Sequence, residues 1–114
     1  MKPESETFQF ADQTAGVQPA PGITRKVLGY DRTLMTVAVT FETGAVGAPH
    51  SHPHAQTSYV VRGRFEVRIG TQTHTLKAGD GYYVAPHEEH GCICREAGTL
   101  IDNFSPWRED FLEK

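Results

Sequence analysis

Glycine and proline interrupt this chain about every eight to twelve residues, and the stretches between them alternate apolar with polar side chains. Met35, Val37, Val39 and Phe41 alternate with Thr36, Ala38 and Thr40, and Phe65, Val67 and Ile69 alternate with Arg64, Glu66 and Arg68. A period of two belongs to a strand with one buried face, and short strands at this spacing predict an all-β sandwich or barrel. The punctuation falls at 44–49, Gly63, Gly70, Gly79 to Gly81, Ala85 to His87 and Gly98. Helix is a minor component, because no useful length of chain carries a 3.6-residue period. The exception is the closing segment from Trp107 to Leu112, which reads as one turn or a docked tail.

At 114 residues the chain is expected to form one domain. Residues 1–22 hold Pro3, Gly16, Pro19, Pro21 and Gly22 and read as an N-terminal arm with a short edge strand; residues 23–114 read as the domain itself. Eleven Lys and Arg against fourteen Asp and Glu give a net charge of -3, which argues against nucleic acid as a partner, since phosphate binding draws on clustered cations. A small anion is not excluded, because one well-placed Arg can receive it. No apolar run approaches the roughly 20 residues of a membrane span, and the opening MKPESETFQF lacks the basic-then-apolar order of a signal peptide. A cytoplasmic protein without a membrane partner is the expectation. Cys92 and Cys94, two positions apart, are not a disulfide framework.

Histidine carries the chemical signal. Five of the six histidines fall in two clusters, His50, His52, His54 and then His87, His90. On an extended chain alternate side chains share a face, so His50 and His52 can aim at one point. Pro53 bends or ends that strand and lets Gln56 approach from the next one. The second cluster supplies a third imidazole. Three neutral nitrogens and an amide oxygen suit a divalent transition metal, nickel, zinc, manganese or iron, with positions left open for water or substrate. His54 reads as a rim or supporting group, His87, beside Pro86, as a solvent-facing turn residue, and His74 as an ordinary strand residue. Cys92 and Cys94 share the parity of His90, so one of them could serve as a soft ligand, although small core cysteines are commoner. Tyr59, Tyr82 and Tyr83 read as strand packing, with one available as a donor to substrate.

These residues resemble the cupin family. Gly44, His50-Ser-His52, Gln56 and Gly63 reproduce the spacing of its first motif, with Gln56 where most cupins carry Glu. Gly79 to His90 is similar to the second, with Ala85 and His87 replacing the usual proline and glycine and Cys94 the usual asparagine. Within the family, the stretch from about Gly22 to Leu112 resembles the KdgF type of pectin-degradation proteins, through His50-Ser-His52-Pro-His54-Ala-Gln56, Ser58-Tyr59-Val60, Tyr82-Tyr83-Val84 and the ending Asp102-Asn-Phe104-Ser-Pro106-Trp-Arg108. The resemblance implies a single-domain jelly-roll β-barrel, commonly a homodimer, with metal on His50, His52, Gln56 and His90. It also implies catalytic roles for Asp102, Phe104 and Arg108.

The terminal strand supports part of this from its own residues. Leu100, Asp102 and Phe104 share one face, so a carboxylate stands between two apolar side chains, which is costly unless it is paired or works in a wet cavity. Phe104 alone would be core packing and Arg108 alone a solvated tail residue. The implied reaction opens a 4,5-unsaturated uronate monosaccharide, a small sugar acid, to its linear 5-keto-4-deoxy form. It needs an acid/base group (Asp102), a carboxylate clamp (Arg108), a Lewis acid and a pocket wall (Phe104). Two other readings stay open: another metal-dependent cupin reaction, an iron dioxygenase or sugar isomerase, and a non-catalytic ligand-binding cupin.

Overall fold

The structure, a computed structural model, describes residues 2–112. A 3-10 turn, Ala11–Gln13, precedes eight strands: β1 (Val17–Ala20), β2 (Ile23–Tyr30), β3 (Met35–Phe41), β4 (Val46–His50), β5 (Ala55–Ile69), β6 (Gln72–Lys77), β7 (Gly81–Val84) and β8 (His90–Ser105). A second 3-10 turn, Glu109–Phe111, follows β8. The edge strand β1 lies inside the stretch read as an arm and pairs antiparallel with β2.

The two long strands organise the fold. β5 and β8, of fifteen and sixteen residues, pair antiparallel from Ala55 opposite Ser105 to Ile69 opposite His90, with register shifts between Val60 and Phe65. At those shifts the backbones nearly touch. A Cβ on Gly63 would stand 2.6 Å from the Glu96 carbonyl oxygen, and one on Gly98 only 2.0 Å from that of Arg62, so neither position admits a side chain. Gly63 and Gly98 therefore mark bends within continuous strands, not the turns between strands that their spacing suggests. Because they bend, β5 and β8 each serve two layers. The first halves of β5 and β7 join the second half of β8, β3, β2 and β1; the second half of β5 and β6 join the first half of β8 and β4. The sheet closes over itself as a jelly-roll β-barrel.

Register decides which side chains face inward, since cross-strand partners share a face. One row runs Val27, Val37, Asp102, Ser58, Tyr82; the next Arg25, Val39, Leu100, Val60; a third Met35, Phe104, Gln56, Val84. The core below is apolar, with Phe65, Met35, Val37, Val60, Val84 and Cys94 fully buried and Phe41 edge-on to Phe65 at 5.1 Å. Each such side chain stabilises the fold by roughly 1.5–3 kcal/mol through burial. Polar residues interrupt these rows only at Asp102, Ser58, Tyr82, Arg25 and Gln56, and that interruption marks the site.

The chain end closes one side of the barrel. Trp107 packs 5.9 Å from Tyr30, and the last 3-10 turn sets Phe111 edge-on to Phe104 at 5.7 Å. The closing segment is thus both a single turn and a docked tail.

Candidate metal centre and cavity

Three imidazoles converge. His50 ends β4, His52 lies in the following loop and His90 opens β8, and one nitrogen from each falls within 4.8 Å of the others. β4 ends before His52, so the loop, and not strand alternation alone, turns that ring toward His50. Pairing of β4 with β8 sets His50 directly opposite His90. His52 and His90 are buried, while His50 is exposed at the mouth.

Each ring is oriented by its own backbone. Nδ1 of His50 lies 2.9 Å from the Ala48 carbonyl, that of His52 3.1 Å from His54 O, and that of His90 2.9 Å from Glu88 O. A carbonyl only accepts, so each Nδ1 carries the proton and donates, which leaves each Nε2 lone pair for the common point. Burial holds His52 below the ordinary imidazole pKa and lowers His90 to about 4, so both rings are neutral near pH 7. His90 Nε2 is buried and has no hydrogen-bond partner among the described residues.

Gln56, the second residue of β5, adds an oxygen. Its Oε1 stands 3.0 Å from His52 Nε2, and its amide nitrogen donates to Ser58 Oγ at 2.9 Å. Ser58 in turn donates to Asp102 Oδ1 at 2.6 Å. Ser58 has one proton and gives it to the carboxylate, so it accepts from the Gln56 NH2, and Gln56 Oε1 must point at the histidines. A lone pair on His52 Nε2 and a carbonyl oxygen then face one another with no proton between them. A shared cation would reconcile two acceptors that face one another at that distance. The orphaned His90 nitrogen and the neutral N,N,N,O set fit a divalent transition ion.

Asp102 lies half-buried in the same cavity, of about 210 Å³, with Gln56, Tyr82, Leu100, Phe104 and Arg108 in its wall. Burial pushes its carboxyl up to about 6, against the opposing pull of the Ser58 hydroxyl and the Arg108 charge. The same burial, reinforced by Asp102, drives the Tyr82 phenol well above its ordinary value, so it stays a neutral donor. The cavity falls below the about 300–1,000 Å³ of drug-sized ligand pockets and suits a small molecule. A larger surface cleft, about 470 Å³, runs beneath the N-terminal arm, but no histidine lines it.

The remaining residues divide clearly. Phe104 is buried, edge-on to the His52 ring at 5.7 Å. The Arg108 guanidinium sits 5.1 Å from the Phe104 ring centre and engages Asp110, Nε to Oδ1 at 3.1 Å and Nη2 to Oδ2 at 2.9 Å. The His54 ring lies beside those of His52 and Phe104, at 5.4 and 6.3 Å between centres, but does not join the group of His50, His52 and His90. His87 is exposed in a turn at φ 69, its amide donating to the His52 carbonyl, and His74 lies in β6. Cys92 lines the cavity with its thiol pushed up to about 12 by burial, and Cys94 is in the core, so neither offers a thiolate. Tyr59 and Tyr83 are exposed; Tyr82 is the tyrosine in the cavity. Two residues escape the sequence reading, Ser58, which bonds Gln56 and Asp102, and Arg25 in the cavity wall. The inward parity of Gln56-Ser58-Val60 and of Ile23-Arg25-Val27 is the signal that could have found them.

Residues 37–101 match the cupin domain family. The pectin degradation protein KdgF of Dickeya dadantii (strain 3937) is 45% identical over 103 residues, 89% of this chain and 94% of its own length. Among solved structures, an RmlC-like cupin from Shewanella frigidimarina NCIMB 400 superposes with a TM-score of 0.93 at 44% identity, covering 96% of this chain and 99% of that one. KdgF from Halomonas sp. superposes with a TM-score of 0.88 at 39% identity, covering 92% and 99%.

Proposed function

The chain belongs to the cupin family and, within it, to the KdgF pectin-degradation proteins, and from that premise we propose that it opens 4,5-unsaturated uronate monosaccharides to the linear 5-keto-4-deoxyuronate. The observation that carries this reading is the line from the histidine centre through Gln56 and Ser58 to the Asp102 carboxylate, inside a small cavity.

His50, His52, His90 and Gln56 would hold a divalent transition ion. That ion supplies a Lewis acid for the oxyanion that develops on ring opening. Asp102 starts ionised, as its short hydrogen bond from Ser58 favours. It takes the proton of the C1 hydroxyl; the C1 carbonyl forms as the bond from C1 to the ring oxygen breaks, and the released pair becomes the C5 enolate. Asp102 then delivers the proton to C4, and C5 becomes a ketone. The change is an isomerisation that consumes no oxidant or reductant. A carboxyl raised to about 6 suits both halves, because it gives and takes a proton readily near neutral pH. Arg108 clamps the C6 carboxylate by exchanging it for Asp110, and Phe104 packs against the sugar face. We place the protein in the cytoplasm as a homodimer, with Tyr59, Val61 and Tyr83 among the exposed apolar side chains available to a second copy.

Anaerobic turnover of the unsaturated uronate by the zinc- or nickel-loaded protein tests the proposal and separates it from an iron dioxygenase; a non-catalytic binding module would give none.

A further inference from the structure

Arg25 is an anomaly in β2. It registers opposite Val39, which registers opposite Leu100, and on its other side opposite the exposed Val17 of β1, so it stands in a row that is otherwise apolar. A charged side chain there costs free energy unless something pairs with it. Among the described residues Arg25 makes no ion pair, whereas the neighbouring Arg108 is held by Asp110. Both guanidiniums lie against Phe111, at 3.8 Å from the ring centre for Arg25 and 4.2 Å for Arg108, and both line the cavity that Asp102, His50 and His90 also line. Burial and the Arg108 charge hold the Arg25 guanidinium below its ordinary pKa, against the opposing pull of the Asp110 carboxylate. Two cations lie against one ring, and Asp110, the carboxylate that engages the pair directly, is bonded to Arg108.

We propose that Arg25 is a carboxylate-recognition residue that works with Arg108 across Phe111 and selects a sugar acid over a neutral sugar. The inference rests on the ring-opening reading for the identity of the ligand, although anion selection by Arg25 can be judged without turnover. Arg25 touches the carboxylate, not the reacting C1 or C4, so its contribution is spread equally over ground and transition states and falls on KM.

The test is calorimetric binding of D-galacturonate and of D-galactose to the metal-loaded protein, as wild type, Arg25→Gln and Arg25→Lys, with metal content measured for each. One lost charge-assisted hydrogen-bond pair predicts about tenfold to hundredfold weaker galacturonate binding in Arg25→Gln, no change for galactose, partial recovery in Arg25→Lys and unchanged metal content. In turnover, KM for the unsaturated uronate rises by the same factor while kcat moves about threefold or less. Arg25→Gln that binds galacturonate as tightly as wild type overturns the proposal. So does an equal loss for both sugars, which identifies a packing role, or a wild type that does not prefer the acid. If the wild type selects galacturonate through Arg25 yet turns over no unsaturated uronate with any metal, the ring-opening reading fails and the role of Arg25 stands.

Discussion

Ser58 Oγ on β5 donates a 2.6 Å hydrogen bond to Asp102 Oδ1, directly opposite on β8, and the same oxygen accepts from the Gln56 amide. One hydroxyl therefore fixes two things at once. It stabilises the ionised form of Asp102, and it sets the direction in which Gln56 presents its oxygen to His52. An ionised Glu at position 56 could not donate to Ser58, so the neutral amide is what completes the chain to Asp102.

Ser58→Ala removes the link while leaving the three histidines in place. The stranded Gln56 amide and Asp102 carboxylate should lower stability by about 1–3 kcal/mol. Loss of a hydrogen bond to the charged form lets the Asp102 pKa climb above about 6. Because the proposed reaction begins with Asp102 ionised, the acid limb of kcat/KM should move to higher pH when the two proteins are compared at equal metal content. A pH-rate profile superimposable on the wild type would contradict the linkage.

Asp102→Asn should lower kcat by about a hundredfold or more, the general scale of a lost acid/base group, with metal retained. It should also reveal a cost of function. The folded pKa, about 6, lies above the unfolded value of 3.8, so the fold favours protonated Asp102. That contribution is present in full below about pH 4 and is lost as pH rises through about 6, amounting to up to about 3 kcal/mol. Metal-free Asp102→Asn should accordingly be more stable than metal-free wild type at pH 8 and no more stable at pH 3.5, as read by urea unfolding.

His50→Ala and His90→Ala should both lose metal, which elemental analysis measures, but they should differ in stability. His50 is exposed and its removal leaves the core intact, whereas His90 is buried. Metal at about a hundredfold its Kd should stabilise wild type by about 2.7 kcal/mol, a gain that a chelator reverses and that neither variant shows.

Arg108→Ala should raise KM for the unsaturated uronate about tenfold or more. It also frees the Asp110 carboxylate beside the cavity, so Arg108→Ala with Asp110→Asn should bind better than Arg108→Ala alone. Equal KM values in the two would argue against a competing role for Asp110.

The strand alternation around Met35 to Phe41 and Phe65 to Ile69 made the all-β class legible, because one buried face leaves a period of two in the residues themselves. The bends at Gly63 and Gly98 were not legible as such. A glycine that ends a strand and one that lets two backbones approach look alike until the partner strand is known. The histidine pair and Gln56 could be read from local spacing, and the resemblance carried Asp102, Phe104 and Arg108. Ser58 and Arg25 escaped because each acquires its meaning from a residue more than forty or more than eighty positions away, Asp102 and Arg108. The hold of Asp110 on Arg108 depends on the final 3-10 turn, whose conformation the sequence left open.

The central claim is that a cavity carboxylate beside a metal centre opens an unsaturated sugar acid. Its most direct measurement is anaerobic turnover of a 4,5-unsaturated uronate monomer by the zinc- or nickel-loaded protein, followed by nuclear magnetic resonance in deuterated water, with Asp102→Asn at equal metal content beside it. The account predicts loss of the C4–C5 double bond, appearance of the linear keto acid with deuterium at C4, and a rate about a hundredfold or more lower in the variant. A wild type that leaves the double bond intact with every metal tested, or a variant as fast as wild type, would contradict it.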